Sequence, residues 1–387
     1  MTFLKRKQLT GIAFFLLLIL FIVGCSQPQK QKRHLIQFIY TSDSHFGITR
    51  AFFQGDTNVY SNVVNAAMVK KMNSLPGLTL PNDSGVNAGN PVGEIDYLIN
   101  TGDIANRSEP GIQTASVSWN QFITTYVNGL TTRNLEDQRS KIWLIAGNHD
   151  VSNAIGHYRI PSAQTDNASM VGIYNYMFPE HPLTSASFSY SKDKIHYSKD
   201  VDGIHFLFLN MWPDSTERIW MKQNLKTVSD STPVLIFTHD EPNVEAKHFS
   251  NPNGKHNINA TDKFENLLGE FFKDGNNISF PSTIEQRGFV SFLKKHKNIK
   301  VYFHGNDNEN RYYDYHGPDN DIDLKVIQVD SPMKGDISRH DETKLSFQLV
   351  SIDPDQKRLT VRECLWNSDP GHPEKSIVWG AKTTIQL

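Results

Sequence analysis

At 387 residues, 38% hydrophobic and 21% charged, the chain can bury a sizeable core, which excludes a disordered tail or a filament. Its formal net charge of -2 gives no electrostatic case for a nucleic-acid partner. With only Cys25 and Cys364, it has no disulfide framework, so stability must come from packing.

The first 24 residues read as a signal peptide. Lys5-Arg6-Lys7 supply a positive start, and Ile12 to Val23 supply an apolar run too short for a comfortable membrane span. The run ends in Ile22-Val23-Gly24-Cys25, which resembles a bacterial lipobox and so implies lipidation of Cys25. More than one acyl chain there gives stable attachment to a bilayer. The expected address is the cell envelope, lipid-anchored, at the outer membrane if the cell is Gram-negative, because Ser26 rather than aspartate follows the cysteine. Residues 25–34 are polar and without periodicity, so they are expected to form a tether to a single domain spanning 35–387.

Beyond the tether, short apolar runs rich in β-branched and aromatic residues predict strands, and each ends in a polar motif. Leu35 to Tyr40 leads to Asp43-Ser44-His45, and Ile95 to Asn100 leads to Gly102-Asp103. Ile142 to Ala146 leads to Gly147-Asn148-His149-Asp150, and Val234 to Phe237 leads to Thr238-His239. In an α/β sheet the carboxyl ends of neighbouring strands share one edge, so these motifs can converge on one ligand. Aspartate, asparagine and histidine together suit divalent metals.

Helices are expected over Asn62 to Met72, Trp119 to Val127 and Arg218 to Leu225. Ile204 to Met211 reads as a further strand, and Lys344 to Ile352 with Arg358 to Leu365 read as antiparallel strands around Pro354-Asp355. Residues 73–93, punctuated by Pro76-Gly77 and Gly89-Asn90-Pro91, and residues 240–262 lack such pattern and are expected to form loops over the site. The second of these carries Glu241, His248, Lys255, His256 and Asn257, of which His248 and His256 are candidate outside donors.

The relay of motifs resembles the calcineurin-like metallophosphoesterase superfamily, whose hallmark order is D-x-H, G-D, G-N-H-D/E, H and G-H-x-H. Four of the five blocks are present in order. The resemblance implies a four-layer α/β/β/α sandwich, two mixed β-sheets flanked by helices. It also implies two divalent metal ions and in-line attack on a phosphoester substrate by a metal-bound hydroxide. By position the metal ligands are Asp43, His45, Asp103 as the bridge, Asn148 and His239. His149 is the expected proton donor to the leaving oxygen, with Asp150 orienting its imidazole. Arg107 stands where relatives have G-D-x-x-D-R and is a candidate phosphate contact.

The fifth block departs from the pattern. After Val301-Tyr302-Phe303-His304 the chain reads Gly305-Asn306-Asp307-Asn308, amides in place of both imidazoles. Asn306 and Asn308 are the expected ligands at those positions, with His304 the lesser candidate. Amide oxygens make a harder site, so manganese is favoured, with zinc, iron or magnesium compatible. The rival reading is a non-catalytic surface lipoprotein of the same fold that binds a phosphorylated ligand or an envelope partner; the intact Asp103, Asn148, His149 and Asp150 argue for the enzyme.

Overall fold

The computed structural model describes residues 35–106, 113–151, 167–190, 192–245 and 283–387. The signal peptide with Cys25, Arg107, and the loop candidates His248, Lys255, His256 and Asn257 lie outside the described residues. Among the described residues no helix is long and apolar enough to cross a membrane.

In chain order the elements are β1 (Ile36–Thr41), a hairpin of β2 (Thr49–Phe53) and β3 (Asp56–Tyr60), helix α1 (Ser61–Met72) and β4 (Tyr97–Asn100). Then come α2 (Ala115–Phe122), β5 (Lys141–Leu144), the single turn α3 (Asn148–Val151), α4 (Ala168–Met177), β6 (Tyr197–Val201) and β7 (Ile204–Phe208). The second half holds α5 (Ser215–Asn224), β8 (Val234–Phe237), α6 (Thr283–Lys295), β9 (Ile299–His304), β10 (Arg311–Tyr315) and β11 (Leu324–Gln328). Strands β12 (Ser346–Asp353), β13 (Arg358–Leu365) and β14 (Val378–Gln386) close it.

Two six-stranded sheets result, ordered β14-β13-β12-β1-β4-β5 and β10-β11-β9-β8-β7-β6. Both are mixed: β1, β4 and β5 run parallel while β12 pairs with β1 antiparallel. In the second sheet β7, β8, β9 and β11 run parallel. The period-two alternation of strand side chains shows how the layers stack. Phe206, Phe208, Leu235, Phe237, Val301 and Phe303 enter the core shared with β1 and β12. Their alternates Leu207, Ile236 and Tyr302 join Trp212, Met221 and Phe289 in a second core beneath α5 and α6. With both faces covered, such strands read as unbroken apolar runs. Between the sheets the Phe38 ring meets Phe206, Phe237 and Phe303 edge-on at centroid distances of 6.0, 5.9 and 6.1 Å, each contact adding about 0.5–1.5 kcal/mol beyond burial. The α/β/β/α sandwich is therefore the observed architecture.

Several expected boundaries shift. The helix expected over Trp119 to Val127 begins at Ala115, where the Thr114 side chain accepts the Val117 N–H, and its last turn is a π-helix over Ile123–Val127. Asp214 caps α5 by accepting the Glu217 N–H at 2.7 Å, so that helix starts ahead of Arg218. Strand β12 starts at Ser346, after a 3-10 turn at Glu342–Lys344. The segment 73–93 does not cover the site. It is bound to β13 and β14: Asp83 accepts from Arg362, Val86 N–H donates to Thr360 Oγ1 at 2.9 Å, and Trp379 Nε1 donates to Thr79 O at 3.1 Å.

Candidate metal centre

Parallel pairing of β1 with β4 and β4 with β5 brings the loops carrying Asp43, Asp103 and Asn148 to one edge. The second sheet presents His239 after β8 and Asn306 after β9 at its own carboxyl edge. The edges are tied together, since the Gly305 N–H donates to His239 O at 3.0 Å and Asn306 N–H donates to Asp43 Oδ2 at 3.0 Å. Asp43, His45 and Asp103 have φ of 57°, 44° and 52°, and Asn306 and Asn308 have 62° and 54°. The left-handed conformation costs about 1–2 kcal/mol per L-residue in general, less for asparagine and aspartate. Backbone bonds from Asp43 N–H to Gly102 O (2.9 Å) and His45 N–H to Asp103 O (2.9 Å) hold it.

Two triads emerge. Ligand atoms of Asp43, Asp103 and His239 lie within 4.8 Å of one another, and so do those of His45, Asp103 and His149. Asp103 belongs to both. His45 Nε2 is 3.4 Å from Asp43 Oδ1 and 3.7 Å from Asp103 Oδ2, and His239 Nε2 is 3.4 Å from Asp103 Oδ1. Asn148 Oδ1 is 3.0 Å from His239 Nε2. The other nitrogen of His239 donates to Thr101 O at 2.8 Å, which turns Nε2 toward Asp103 in the manner of an oriented metal ligand.

Burial and the Asp103 carboxylate dominate the electrostatics. Burial drives the His45 pKa down and the Lys334 charge adds to that, which favours the neutral imidazole a metal needs. For Asp103, burial pushes upward, but the charge and hydrogen bond of His239 and the charges of His45 and Lys334 hold it well below the usual carboxylate range. Burial lowers His239, yet Asp103 outweighs it and raises that imidazole well above its ordinary value. A metal ion held by His239 would take the place of that proton.

These residues fit divalent cations. Among the described residues, Asp43 Oδ1, His45 Nε2 and Asn308 Oδ1 are buried with no hydrogen-bond partner of good geometry. Such atoms are rare in folded chains unless an ion or water satisfies them. Two glycines keep space around them. A Cβ on Gly147 would stand 2.2 Å from Asp103 Oδ1 and 2.7 Å from His239 Cε1, and one on Gly305 would stand 2.3 Å from Asp43 Oδ2.

The fifth block adopts a definite arrangement. Asn306 Nδ2 donates to Glu241 Oε2 at 2.9 Å, Asn308 Nδ2 donates to Asn306 O, and Asn308 Oδ1 is left buried. His304 faces elsewhere. Its Nδ1 donates to Gly305 O at 2.9 Å, its Nε2 lies 3.0 Å from the Tyr313 hydroxyl, and burial lowers its pKa to about 3. It is a neutral packing residue at the end of β9.

Asp150 corrects an expectation. Its carboxylate accepts N–H bonds from Ile104 (3.1 Å), Ala105 (2.9 Å) and Gly147 (3.0 Å) and the Ser169 hydroxyl, rather than orienting the His149 ring. Adjacent residues on a helix point away from each other, and both lie in α3. Burial, followed by the Asp103 charge, raises the Asp150 pKa to about 6 despite those bonds. Asp150 therefore binds the Asp103 loop to the Asn148 loop. His149 donates its backbone N–H to Asp103 Oδ1 at 2.8 Å, while its Nε2 stands 3.8 Å from Asp103 Oδ2 and 3.2 Å from Lys334 Nζ. Lys334 escaped the sequence reading because β11 was not recognised. The signal was there in Leu324 to Val329 followed by Asp330-Ser331-Pro332, an apolar run ending in turn residues like the others.

The calcineurin-like phosphoesterase family model matches residues 37–305, well over half of the chain, and the chain belongs to this family. It is a metallophosphoesterase, acting on phosphoesters with divalent metal. The match ends one residue before Asn306. No curated protein matches its sequence. Among solved structures, it is similar to a dimetal phosphatase from Danio rerio at 11% identity and TM-score 0.46, over 91% of this chain and 98% of that one. A PhoD structure matches at 10% identity and TM-score 0.48, over 91% and 70%. A predicted phosphoesterase from Streptococcus pneumoniae matches at 8% identity and TM-score 0.32, over 91% and 97%.

Proposed function

We propose that the chain hydrolyses phosphoesters by in-line displacement at a dinuclear centre held by Asp43, His45, Asp103, Asn148, His239 and the Asn306-Asn308 loop. The observation that carries this is Asp103 shared between Asp43 and His239 on one side and His45, with the His149 ring beside it, on the other, the atoms of each group lying within 4.8 Å of one another. Divalent cations held by these residues would supply polarisation of the phosphoryl oxygens and a lowered pKa for the attacking water. Asp103 stays ionised, and Thr101 fixes the ring of His239. His149, at the rim and 11% exposed, delivers a proton to the leaving oxygen.

The amides of the fifth block set the metal. Protein freed of residues 1–25 is expected to hydrolyse chromogenic monoesters or diesters faster with manganese than with zinc at equal occupancy. Asn306→His combined with Asn308→His is expected to tighten zinc binding, measured by titration calorimetry, and to reverse that preference. Absence of turnover with manganese, zinc and magnesium alike would defeat the hydrolase reading. Unchanged zinc affinity in the double variant would remove Asn306 and Asn308 from the ligand set.

The envelope address belongs to the same proposal and rests on Ile22-Val23-Gly24-Cys25. Labelled fatty acid is expected to enter the wild-type protein, and Cys25→Ala is expected to abolish the label and leave the precursor uncleaved. Each buried methylene contributes about 0.8 kcal/mol to membrane attachment. Label retained by Cys25→Ala would refute the anchor.

A further inference from the structure

We infer that Lys334 is a substrate-binding cation of this site, contacting a non-bridging phosphoryl oxygen of the phosphoester; this rests on the hydrolase reading above.

The lysine stands on the loop that leaves β11, parallel to β9, at the same sheet edge as Asn306. That loop is fixed to both halves of the centre. Ser331 Oγ donates to Asp43 O at 2.8 Å and accepts the N–H groups of Met333 (3.1 Å) and Lys334 (3.0 Å). Beyond the lysine, Asp336 N–H donates to Asn308 O at 2.9 Å. Buried Arg50 closes the loop from behind by donating to Pro332 O at 3.1 Å and to Ser338 O. Gly335 cannot be replaced without collision, because a Cβ there would stand 2.0 Å from Ser338 Oγ and 2.1 Å from Asp330 Oδ1. The backbone of Lys334 is thus clamped to the loops carrying Asp43 and Asn308, quite unlike a solvated surface lysine.

The half-buried side chain sets its ammonium 3.2 Å from His149 Nε2, and that nitrogen is 3.8 Å from Asp103 Oδ2. An ammonium has hydrogens and no lone pair, so it serves only as a donor and cannot join the metal ligands. Beside a pair of divalent cations it would be repelled, and an anion lying between them would offset that repulsion. A phosphoryl group is such an anion, and lysine recognises it as a point charge. The same contact places the His149 ring next to the bound phosphoryl, with Nε2 accepting the lysine N–H until a phosphoryl oxygen takes over that hydrogen bond.

The test is calorimetric titration of inorganic phosphate into the manganese-loaded full chain in detergent, for wild type, Lys334→Met and Lys334→Arg. Lys334→Met is expected to weaken phosphate about 10- to 100-fold, the range for losing a charged hydrogen bond. Lys334→Arg, keeping charge and donors, is expected to return to within about threefold of wild type. Manganese content by mass spectrometry should be equal in all three, and KM for a phosphoester should rise more than kcat falls in Lys334→Met. Phosphate affinity unchanged in Lys334→Met, arginine as poor as methionine, or loss of manganese would overturn the inference, the last because the residue would then act through the ligand loops. Wild type that turns over no phosphoester but binds phosphate in a lysine-dependent way would defeat the hydrolase reading and leave Lys334 as an anion site.

Discussion

His149→Ala is expected to lower turnover by about two to four orders of magnitude, the range for removing a general acid, equivalent to about 3–5 kcal/mol in the barrier. Metal content is expected to persist, because Asp43, His45, Asp103, Asn148 and His239 all remain. The geometry makes the second half of this prediction the sharper one. His149 Nε2 belongs to a triad with His45 and Asp103, and the His45 and His149 rings meet edge-on at 4.8 Å. If mass spectrometry finds an ion lost with the imidazole, His149 is a ligand and the proton must come from elsewhere. If metal is retained and turnover is unaffected, neither role holds. The backbone contact from His149 N–H to Asp103 Oδ1 survives the substitution, so the Asp103 carboxylate keeps one of its supports.

The largest effect on stability is expected from Asp83→Ala. Arg362 in β13 is 1% exposed, and its Nε and Nη2 donate to the two Asp83 oxygens at 2.9 Å each. Nη2 also donates to Val86 O at 2.9 Å. Removing the carboxylate strands a buried guanidinium, which costs about 3 kcal/mol, the lower end of the range for breaking a buried pair because water can reach the 18% exposed Asp83 side chain. A fall in the denaturant midpoint of that size would confirm it. Asp83→Ala with Arg362→Met is expected to recover much of the loss, since an apolar side chain can fill that space. Should the double variant be no more stable than the single, the burden lies in packing rather than in the unpaired charge.

The same pair predicts an acid response. The Arg362 hydrogen bond, working against burial, lowers the Asp83 pKa to about 2. A folded pKa below the unfolded one means stability that is present above the unfolded value and lost as pH falls through the folded one. The stability gap between wild type and Asp83→Asn should therefore be constant near neutrality and close between about pH 4 and 2. A gap that does not change over that interval would show the pair to be energetically silent.

The strands nearest the centre were legible because they are covered on both faces. β1 is buried along its whole length, as is β8, and both announce themselves as apolar runs. The edge strands were not. Strand β10, half-exposed through Arg311-Tyr312-Tyr313-Asp314, and β14, interrupted by Gly380 and Lys382, carry mixed polarity that resembles loop sequence. The hairpin β2–β3 escaped for the same reason, with Phe52 63% exposed. Helix ends moved wherever a cap decided them, as at Thr114 and Asp214.

What the sequence determined by itself was the chemistry and its order along the chain: carboxylate, imidazole and amide donors, each following an apolar run. That was enough for the family and for the convergence of Asp43, Asp103, Asn148 and His239, since parallel strands share one carboxyl edge. Direction was decided only by the tertiary structure. Asp150 turns to the amides of Ile104, Ala105 and Gly147, His304 turns to Tyr313, and residues 73–93 bind β13 through the Asp83–Arg362 pair. Lys334 reaches the site from 185 positions beyond His149. A linear pattern records which groups a strand end carries; which way each one faces is set by backbone conformation and by partners far away in the chain.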